Sequence, residues 1–548
     1  MKRKQIQPIE LTSLPDLHQV KRTGPERRQR PIYLDRLPPC NQACPAGENI
    51  QAWLALTQEG KFQSAWEELM KNNPLPAVHG RVCYHPCEDK CNRQYVDETI
   101  SIHAVERFLG DRALVEGWKI KLEAKPSGKR VLIVGAGPSG LSAAYHLLRL
   151  GHQVEIRDAG PQAGGMMHFG IPQYRLPRDV LEAEIGRISE LGAKITLNHK
   201  VEDVLQEQEA GGFDAVFLAI GAHLSRRVEI PAQDAGKVLD AVSFLREVEA
   251  GEAPQLGRRV AIYGGGNTAL DAARTAKRLG ASEALIIYRR NRERAPAHDF
   301  EIDEAQEEGI KIHWLRTIKQ ITQNKFTVEK MRLNDEGWPE PTGEYETLEV
   351  DSLILALGQR TDTEFLQKIP GMAFERDNTV IVDRQLMTGH PGIFAGGDMV
   401  PAERTVTVAV GHGKRAARCI DAFLRGEKYR KPPKHEPAPF ELLHPWFYSD
   451  AERREQSQID IQARQTSFAE VVAGLTQEEA LYEARRCLAC GNCFECDGCY
   501  GACPEDAIIK LGPGKRYEVN YQLCSGCAIC FEQCPSGAIT MIPEPPES

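Results

Sequence analysis

The sequence predicts an α/β fold with two Rossmann-like dinucleotide-binding domains, placed between two cysteine-rich regions. The chain has 548 residues, enough for several domains. Residues 129–158 and 258–290 each combine a strand, a glycine-rich turn, a helix and a second strand, which is the pattern of a nucleotide-binding unit. Of the sixteen cysteines, all except Cys419 lie in residues 40–91 or 487–534. Such clustering in a large chain favours metal binding over disulfide bonds.

Composition and charge argue against several classes of protein. A net charge of -9 with 26% charged residues does not suit a general nucleic-acid or membrane-surface binder. No apolar run approaches the roughly 18 residues that cross a bilayer, and the basic residues 1–36 lack the apolar core of a signal peptide. We expect those residues to form a solvated or partner-docking extension. Because metal-binding thiolates must stay reduced, the cysteines indicate a cytoplasmic protein.

The first nucleotide-binding unit carries a complete fingerprint. The apolar strand Val131–Val134 leads into Gly135-x-Gly137-x-x-Gly140 and then a helix. The first glycine allows the tight turn, the second lets the backbone approach a pyrophosphate, and the third lets helix pack on strand. Asp158 closes the second strand, where a carboxylate can accept hydrogen bonds from the ribose hydroxyls of an adenosine. Together these features predict a dinucleotide site.

The second unit differs at the end of its second strand. Its glycine turn spans residues 264–269, but the following strand ends on Arg289 and Arg290 with no acid. Arginine pairs with phosphate through parallel hydrogen bonds, so these two residues favour NADP over NAD. The alternative is that both arginines are solvated and NAD is used. The predicted NAD(P) contacts are Gly264, Gly266, Asn267, Thr268, Arg289 and Arg290.

Residues 392–424 resemble the two-dinucleotide-binding-domain flavoprotein superfamily. "GIFAGGDMV" places Asp398 after a glycine pair, and the next stretch runs into a helix. In that superfamily such an aspartate holds the flavin ribityl chain, and the helix N-terminus faces the isoalloxazine ring. The resemblance implies FAD at the first unit. Residues 213–223 and 351–360 resemble the domain-crossing strands, so the NAD(P) domain would be inserted in the FAD domain. The implied FAD contacts are Gly135, Gly137, Gly140, Asp158, Gly165, Asp398, Thr405 and Thr407.

Other members of this superfamily carry a redox disulfide beside the flavin. Here no cysteine pair lies between residues 92 and 486, and Cys419 occupies an apolar helical pattern typical of a packed, inert thiol. Electrons leaving the flavin therefore need another route, and metal clusters at the ends of the chain are the candidate.

The C-terminal tail repeats one metal-binding run. The spacing C-x2-C-x2-C-x3-C-P occurs at residues 493–504 and 524–535, and it is typical of four-iron clusters, whereas zinc usually takes paired C-x2-C motifs held apart. The tail resembles bacterial two-cluster ferredoxins, which have an α+β fold. In these the fourth cysteine of each run ligates the other cluster. The resemblance implies one set of Cys493, Cys496, Cys499 and Cys534, and another of Cys503, Cys524, Cys527 and Cys530.

Three further stretches resemble the family of the bacterial glutamate synthase small subunit. They are residues 80–91, 164–181 and 288–297. The N-terminal half of dihydropyrimidine dehydrogenase and the large subunit of NADH-dependent ferredoxin:NADP oxidoreductase are equally similar relatives. The resemblance covers about residues 38 to 430. It implies FAD with NAD(P)H, and an N-terminal helical domain that carries 4Fe-4S clusters.

The chain departs from this family at the N-terminal clusters. The family holds two clusters with a four-cysteine run, a downstream three-cysteine run and one glutamate or glutamine, but here the first two cysteines of the first run are missing. The family's pairing implies one complete cluster. Its ligands would be Cys44, Cys83, Cys87 and Glu106.

Two cysteines of the tail are candidates for the missing pair. Cys40 and Cys91 remain as half of a second cluster, while residues 479–490 read like the family segment that normally carries the missing cysteines. We hypothesise that Cys487 and Cys490 fold back to complete it, which gives four clusters. The alternative is that this pair is spare and Cys40 and Cys91 are structural, which leaves three.

These assignments define the expected domains and function. We expect an FAD- and iron-sulfur-dependent NAD(P)H:acceptor oxidoreductase that works as the electron-transfer subunit of a larger hetero-oligomer, such as a 2-oxoacid or other oxidoreductase. The alternatives are a stand-alone NAD(P)H:ferredoxin oxidoreductase, a glutamate synthase small subunit and a non-catalytic electron relay. The predicted domains are a basic extension (1–36), a helical iron-sulfur domain (37–126), an FAD domain (127–222 and 352–428), an NAD(P) domain (223–351), a linker (429–484) and a ferredoxin-like domain (485–548).

Overall fold

The N-terminal cysteine-rich region folds into short helices in the computed structural model, which describes residues 27–225, 232–233 and 237–545. Apolar side chains recur at helical spacing, so that Phe62, Trp66 and Leu69 are buried on one face of a helix. Proline begins several of these helices because its fixed φ suits a first helical turn. The elements are β1 (Gln29–Tyr33), α1 (Pro39–Ala43), α2 (Ile50–Gln58), α3 (Phe62–Met70), α4 (Pro76–Val82), α5 (Pro86–Asp89) and α6 (Ile102–Val115).

The first nucleotide-binding unit follows as alternating strands and helices. Its first strand is buried along Val131–Val134, as expected for a strand with helices on both faces of the sheet. The elements are β2 (Arg130–Val134), α7 (Pro138–Arg149), β3 (Gln153–Arg157), α8 (Met166–Phe169), α9 (Arg178–Glu190), β4 (Lys194–Thr196), α10 (Val204–Gly211) and β5 (Ala215–Leu218).

The second unit repeats this pattern and adds an antiparallel layer before the chain returns to the first unit. The second-unit elements are β6 (Leu224–Ser225), β7 (Ala232–Gln233), β8 (Lys237–Asp240), α11 (Ala241–Glu249), β9 (Arg259–Tyr263), α12 (Asn267–Arg278), β10 (Glu283–Tyr288), α13 (Asp299–Glu307), β11 (Lys311–Trp314), β12 (Arg316–Thr322), β13 (Lys325–Leu333), β14 (Pro339–Glu349) and β15 (Ser352–Leu355). The returning elements are β16 (Gln359–Arg360), β17 (Ile393–Ala395) and α14 (Val406–Leu424).

The sheet orders confirm that one unit is inserted in the other. The first unit has a parallel sheet in the order β17-β5-β2-β3-β4, and the second has one in the order β11-β10-β9-β15-β8. The second unit therefore lies in sequence between β5 and β17 of the first. One predicted boundary shifts: β15, expected at the start of the returning FAD segment, pairs instead with β8 and β9.

The tail forms a small domain that the N-terminal strand completes. β1 pairs antiparallel with the last strand of the tail, from Gln29 opposite Pro543 to Tyr33 opposite Ile539. This part of the basic extension thus docks on the chain's own tail, while residues 1–26 lie outside the described residues. The tail elements are α17 (Gly498–Ala502), β18 (Ile508–Lys510), β19 (Tyr517–Val519), α18 (Ile529–Glu532) and β20 (Ile539–Pro543), preceded in the linker by α15 (Ile461–Thr466) and α16 (Gln477–Arg485).

The linker is more than a surface connector. Arg464 is buried and pairs with the fully buried Glu308 of the second unit, while Glu470 accepts a hydrogen bond from Arg81 of the N-terminal domain. α16 packs on α2 and α6. Short 3₁₀ helices cover Asn92–Tyr95, Arg292–Arg294, Glu364–Leu366, Gly397–Met399, Phe440–Leu442 and Pro445–Phe447. Across the described ranges, no helix is both long and apolar enough to cross a membrane.

Candidate active site

A cavity of about 1580 Å³ lies where the two nucleotide-binding units meet. We call it the nucleotide cavity. The glycine turns of both units line it, as do the ends of the strands that follow them, so dinucleotides bound to the two units would share one space. The predicted cofactor residues that line it are Gly135, Gly137, Asp158, Gly165, Asp398, Thr405, Gly264, Gly266, Asn267, Thr268, Arg289 and Arg290.

The glycines of the first turn have the distinct environments that the fingerprint requires. Gly135 has a φ of +109°, and a Cβ there would lie 2.4 Å from the Ala219 carbonyl oxygen. A Cβ on Gly137 would meet nothing within 4 Å, which leaves an open cradle where a pyrophosphate can approach the backbone. Gly140 does not line the cavity. A Cβ there would lie 2.0 Å from the Gly135 carbonyl oxygen, so only glycine allows the helix to pack this closely on the turn. Its role is helix packing, as expected of the third glycine.

Two carboxylates face the same cavity from the first unit. Asp158 accepts hydrogen bonds from the backbone N–H groups of Ala136 and Gly160, each at 2.7 Å, and so shapes the glycine turn. Asp398 follows Gly397 after β17, and burial raises the pKa of its carboxyl to about 6. Both residues stand where the flavoprotein resemblance expects contacts to FAD.

The N-terminus of α14 also reaches the cavity. Thr405 caps this helix, its hydroxyl accepting a hydrogen bond from the Val408 N–H at 3.2 Å, and it lines the cavity together with Val406. The positive end of the helix dipole therefore points toward a site expected to hold an anionic reduced cofactor.

Thr407 departs from its predicted role as an FAD contact. It does not line the cavity, and its side chain is 3% exposed. Two residues past the cap, the helix turns this side chain toward the N-terminal domain, where its hydroxyl donates to the Cys83 Sγ at 3.0 Å. The side chain therefore faces Cys83 and not the cavity, and a contact between Thr407 and FAD stays a prediction.

The strand end of the second unit offers unpaired polar atoms. Arg289 and Arg290 both line the cavity, and the Arg290 guanidinium lies 5.1 Å from the centre of the Trp338 ring. Within the described part of the chain, the buried Arg290 Nε and Asn291 Oδ1 have no hydrogen-bond partner. Buried polar atoms are normally paired, so this strand end fits a polar ligand group.

The structure brings together the four ligands predicted for the first N-terminal cluster, Cys44, Cys83, Cys87 and Glu106, which we call the inner set. Burial, and after it the Glu106 carboxylate, raises the pKa of the Cys83 thiol to about 12. Burial likewise raises the pKa of the Cys44 thiol. The nearby charges of Glu48, Cys83 and Glu106 act in the same direction. Buried thiolates are costly unless a cation compensates them, so this group fits a metal cluster.

The folded-back pair of cysteines lies beside the incomplete N-terminal pair. We call Cys40, Cys91, Cys487 and Cys490 the bridging set. Burial raises the pKa of the Cys40 thiol well above its usual value, and the neighbouring thiols of Cys487, Cys91 and Cys490 raise it further. The Asn92 side chain donates to the Cys490 Sγ at 3.5 Å. The tail segment therefore reaches the N-terminal domain, and ligation of a cluster by these four thiols stays a prediction.

The tail cysteines group across the two runs as the ferredoxin resemblance implies. The first tail set comprises Cys493, Cys496, Cys499 and Cys534, and the second comprises Cys503, Cys524, Cys527 and Cys530. Burial raises the pKa of the Cys499 thiol to about 11, with the other thiols of the first tail set contributing. The four cysteines of the second tail set line one small cavity together with Pro31 of β1.

Comparison with known proteins gives the family. Residues 129–413 match the family described as pyridine nucleotide-disulphide oxidoreductase. The chain belongs to the pyridine nucleotide-disulphide oxidoreductase family. Within this oxidoreductase, residues 29–118 also match dihydropyrimidine dehydrogenase domain II, 4Fe-4S cluster, and residues 517–540 match the 4Fe-4S binding domain.

Relatives match most of the oxidoreductase's length. The beta subunit of NADP(+)-dependent formate dehydrogenase from Moorella thermoacetica is 36% identical, over 82% of this chain and 70% of that protein. The beta subunit of NADPH-Fe(3+) oxidoreductase from Geobacter sulfurreducens is 34% identical, over 82% and 75%. The small chain of glutamate synthase [NADPH] from Escherichia coli is 32% identical, over 71% and 89%. The resemblance to the glutamate synthase small subunit is thereby confirmed.

The family and domain matches confirm the predicted chemistry. The protein is an FAD- and iron-sulfur-dependent NAD(P)H oxidoreductase with 4Fe-4S clusters.

Sequence reasoning missed Tyr84, which lines the cavity beside an inner-set ligand. Its hydroxyl accepts a hydrogen bond from the Asn267 side chain at 2.6 Å, and its ring stacks on His298 at 3.7 Å between centroids. Burial raises the pKa of Tyr84 to about 12, so the hydroxyl stays protonated. Its position next to Cys83, in the stretch 80–91 that resembles the glutamate synthase small subunit family, was the available signal.

Proposed function

We propose that this oxidoreductase exchanges hydride with NADP(H) at the nucleotide cavity and exchanges single electrons with a partner subunit through four 4Fe-4S clusters. FAD supplies the chemistry that links the two, because it handles both hydride and single electrons. One observation carries the proposal. The cavity that receives both glycine turns is also lined by the start of α14, and Thr407 of that helix contacts Cys83 of the inner set.

The four cysteine sets lie in a series, which supports this route. Burial raises the pKa of Cys87 in the inner set, and the thiol of Cys40 in the bridging set contributes, so these two sets are neighbours. The buried Tyr448 has its pKa raised by burial and then by thiols of the bridging and first tail sets. Tyr33 has its pKa raised by burial and then by thiols of both tail sets. The inner and bridging sets are therefore direct neighbours, and each of the next two pairs of sets shares a neighbouring tyrosine.

The second tail set lies at the surface end of this series. Of the sixteen cysteines, all of which the structure describes, Cys527 is the exposed one. Leu523 and Ile529 beside it are exposed as well. We place the exchange with the partner at this end, since a cluster close to the surface suits electron transfer between proteins.

The names of relatives support a partner subunit. The Moorella thermoacetica and Geobacter sulfurreducens relatives are both named as beta subunits of oxidoreductases. We therefore propose that this chain also works in a hetero-oligomer, with a 2-oxoacid or other oxidoreductase as the partner, in the reducing cytoplasm that free thiolates require. A stand-alone NAD(P)H:ferredoxin oxidoreductase is the second candidate. The exposed Cys527 supports it as well, because a free ferredoxin could also exchange electrons at that end of the series.

The strand end at Arg289 and Arg290 supports NADP as the nucleotide. Both guanidinium groups can pair with a 2'-phosphate, and the Arg290 Nε lacks a partner in the described part of the chain. We expect Arg290 to contribute most, because Trp338 holds its guanidinium in place.

Anaerobic titration of the purified holoprotein tests the proposal. NADPH should bleach the flavin absorbance at lower concentration than NADH, and reduced cluster signals should follow in electron paramagnetic resonance (EPR) spectra. Arg290→Gln should weaken the response to NADPH at least tenfold while it leaves the response to NADH unchanged, since only NADPH carries the 2'-phosphate.

Other outcomes separate the alternatives. Absence of bleaching with either nucleotide would leave a non-catalytic relay. Rapid reduction of added ferredoxin by the isolated chain would favour the stand-alone enzyme. Equal responses to the two nucleotides would contradict the assignment of Arg290.

A further inference from the structure

We propose that Thr407 is a positioning residue that raises the reduction potential of the inner cluster, the one next to the nucleotide cavity. This inference rests on the proposed ligand set of that cluster. The Thr407 hydroxyl lies 3.0 Å from the Cys83 Sγ, and the backbone N–H of His85 lies 3.3 Å from the same sulfur. Two donors therefore converge on one thiol of the inner set.

The direction of the hydrogen bond follows from the chemistry of the sulfur. A cysteine that ligates iron is a thiolate and can only accept, so the Thr407 hydroxyl must donate. A hydrogen bond to an anionic acceptor is stronger than one between neutral groups. Reduction adds one negative charge to the cluster and its sulfurs, so the donor stabilises the reduced state more than the oxidised state. Hydrogen bonds to cluster sulfurs are one of the factors that set such potentials.

The surrounding packing holds this hydrogen bond in place. α14 lies so close to the N-terminal domain that a Cβ on Gly411 would be 2.2 Å from the Pro45 carbonyl oxygen. Further along the helix, the Lys414 ammonium donates to the Gly47 carbonyl oxygen and the Asn72 side chain, both at 3.0 Å. Close packing and hydrogen bonds therefore hold α14, which lines the nucleotide cavity, against the N-terminal domain just after Cys44.

One turn of α14 therefore serves two cofactor sites. Thr405 and Val406 line the nucleotide cavity, while the Thr407 side chain points to the N-terminal domain and contacts Cys83. The hydroxyl makes the inner cluster easier to reduce, and this favours electron transfer from the flavin side. A valine would fill nearly the same volume without the donor.

EPR-monitored redox titration of the full-length holoprotein tests this role. Thr407→Val should lower the midpoint potential of one cluster, the one whose signal is lost in Cys83→Ala, and should leave the other clusters and the iron and FAD contents unchanged. Thr407→Ser should restore the wild-type potential. Thr57→Val is the matched control, because Thr57 is also buried and lies in the N-terminal domain that carries the inner set, but it donates to the Trp53 carbonyl oxygen. It should shift no potential.

Several results would overturn the inference. An unchanged midpoint in Thr407→Val with full iron content would do so, as would loss of FAD without a potential shift. If the valine variant does not assemble, Thr407→Ala is titrated instead, and wild-type potential there counts against the role. Reduction by dithionite with mediators does not need NAD(P)H, so a failure of the proposed function would leave this measurement intact. Unchanged iron in Cys83→Ala would instead refute the inner ligand set.

Discussion

The inner and bridging sets draw their ligands from separated parts of the chain, whereas both tail sets come from one continuous stretch, residues 493–534. In the tail, a repeated run and two short helices place the thiols, and β1 adds an edge strand whose Pro31 and Tyr33 contact them. Around the bridging set, α16 must pack on α2 and α6 before the thiols can meet. Local spacing can organise one kind of site, while the other depends on tertiary packing.

This difference predicts which variants affect which clusters. The tail clusters should tolerate damage to the packing of α16, since their ligands lie in their own domain. The bridging cluster should not, because two of its proposed ligands, Cys487 and Cys490, reach it only through that packing. The three predictions below follow this contrast, in order of decreasing effect.

Cys487→Ala should have the largest effect because it removes a proposed ligand of the bridging set. With four clusters we expect about sixteen irons per chain in the wild type and about twelve in the variant, with both tail clusters retained. Cys419→Ala is the control, since Cys419 is a buried thiol outside every set. Iron and sulfide analysis, together with EPR quantification, provides the measurement. About twelve irons in both wild type and variant would show that the pair is spare.

Arg486→Ala should detach α16 from the N-terminal domain. Arg486 is 3% exposed and donates to the carbonyl oxygens of Glu98, Thr99 and Ala451 and to the fully buried carboxylate of Glu483. Removing one partner of such a buried pair typically costs roughly 3–5 kcal/mol, because the remaining charge is left uncompensated.

Hydrogen–deuterium exchange locates this effect. In Arg486→Ala, exchange should accelerate in residues 477–490 and not in β18 and β19 of the tail. Arg485→Ala is a matched control, because the neighbouring Arg485 is exposed. Equal acceleration in both regions would mean that the tail domain depends on α16 as much as the bridging set does.

Tyr33→Phe should have the smallest effect, and only in the tail. The Tyr33 hydroxyl lies 3.2 Å from the Cys499 Sγ, and burial raises the Tyr33 pKa, so the hydroxyl keeps its proton and donates. We expect a modestly lower midpoint potential for one tail cluster, with the inner cluster and the iron content unchanged. Tyr95→Phe, at a largely exposed tyrosine, is the control. A shift of the inner cluster instead would contradict the series of sets.

Features encoded by short spacing could be predicted from the sequence. The turns at Gly135 and Gly264, and the two tail runs, depend on neighbouring residues, and the structure places them as expected. The insertion of one unit in the other followed from the stretches that bracket it. The position of Cys487 beside Cys40 required a count of ligands over the whole chain.

Features that depend on how domains meet could not be predicted in this way. Thr407 faces Cys83 because α14 packs tightly against the N-terminal domain. The spacing of residues in the sequence does not predict this packing. The pairing of β1 with β20 joins residues from the two ends of the described chain, where the composition of the extension indicated only charge. Tyr84 lies in the family-like stretch 80–91, but its contact with Asn267 forms only when the second unit packs against that stretch.

The β1–β20 ladder has a consequence for biosynthesis. Because Gln29 pairs with Pro543, the ladder can form only after Pro543 has left the ribosome. At roughly 5–20 residues per second, that delay is about 25 to 100 seconds. Synthesis of Cys487, which lies beside Cys40 in the bridging set, follows that of Cys40 by almost as long. The bridging and tail clusters are therefore expected to be completed only after residues 487–543 have been synthesised.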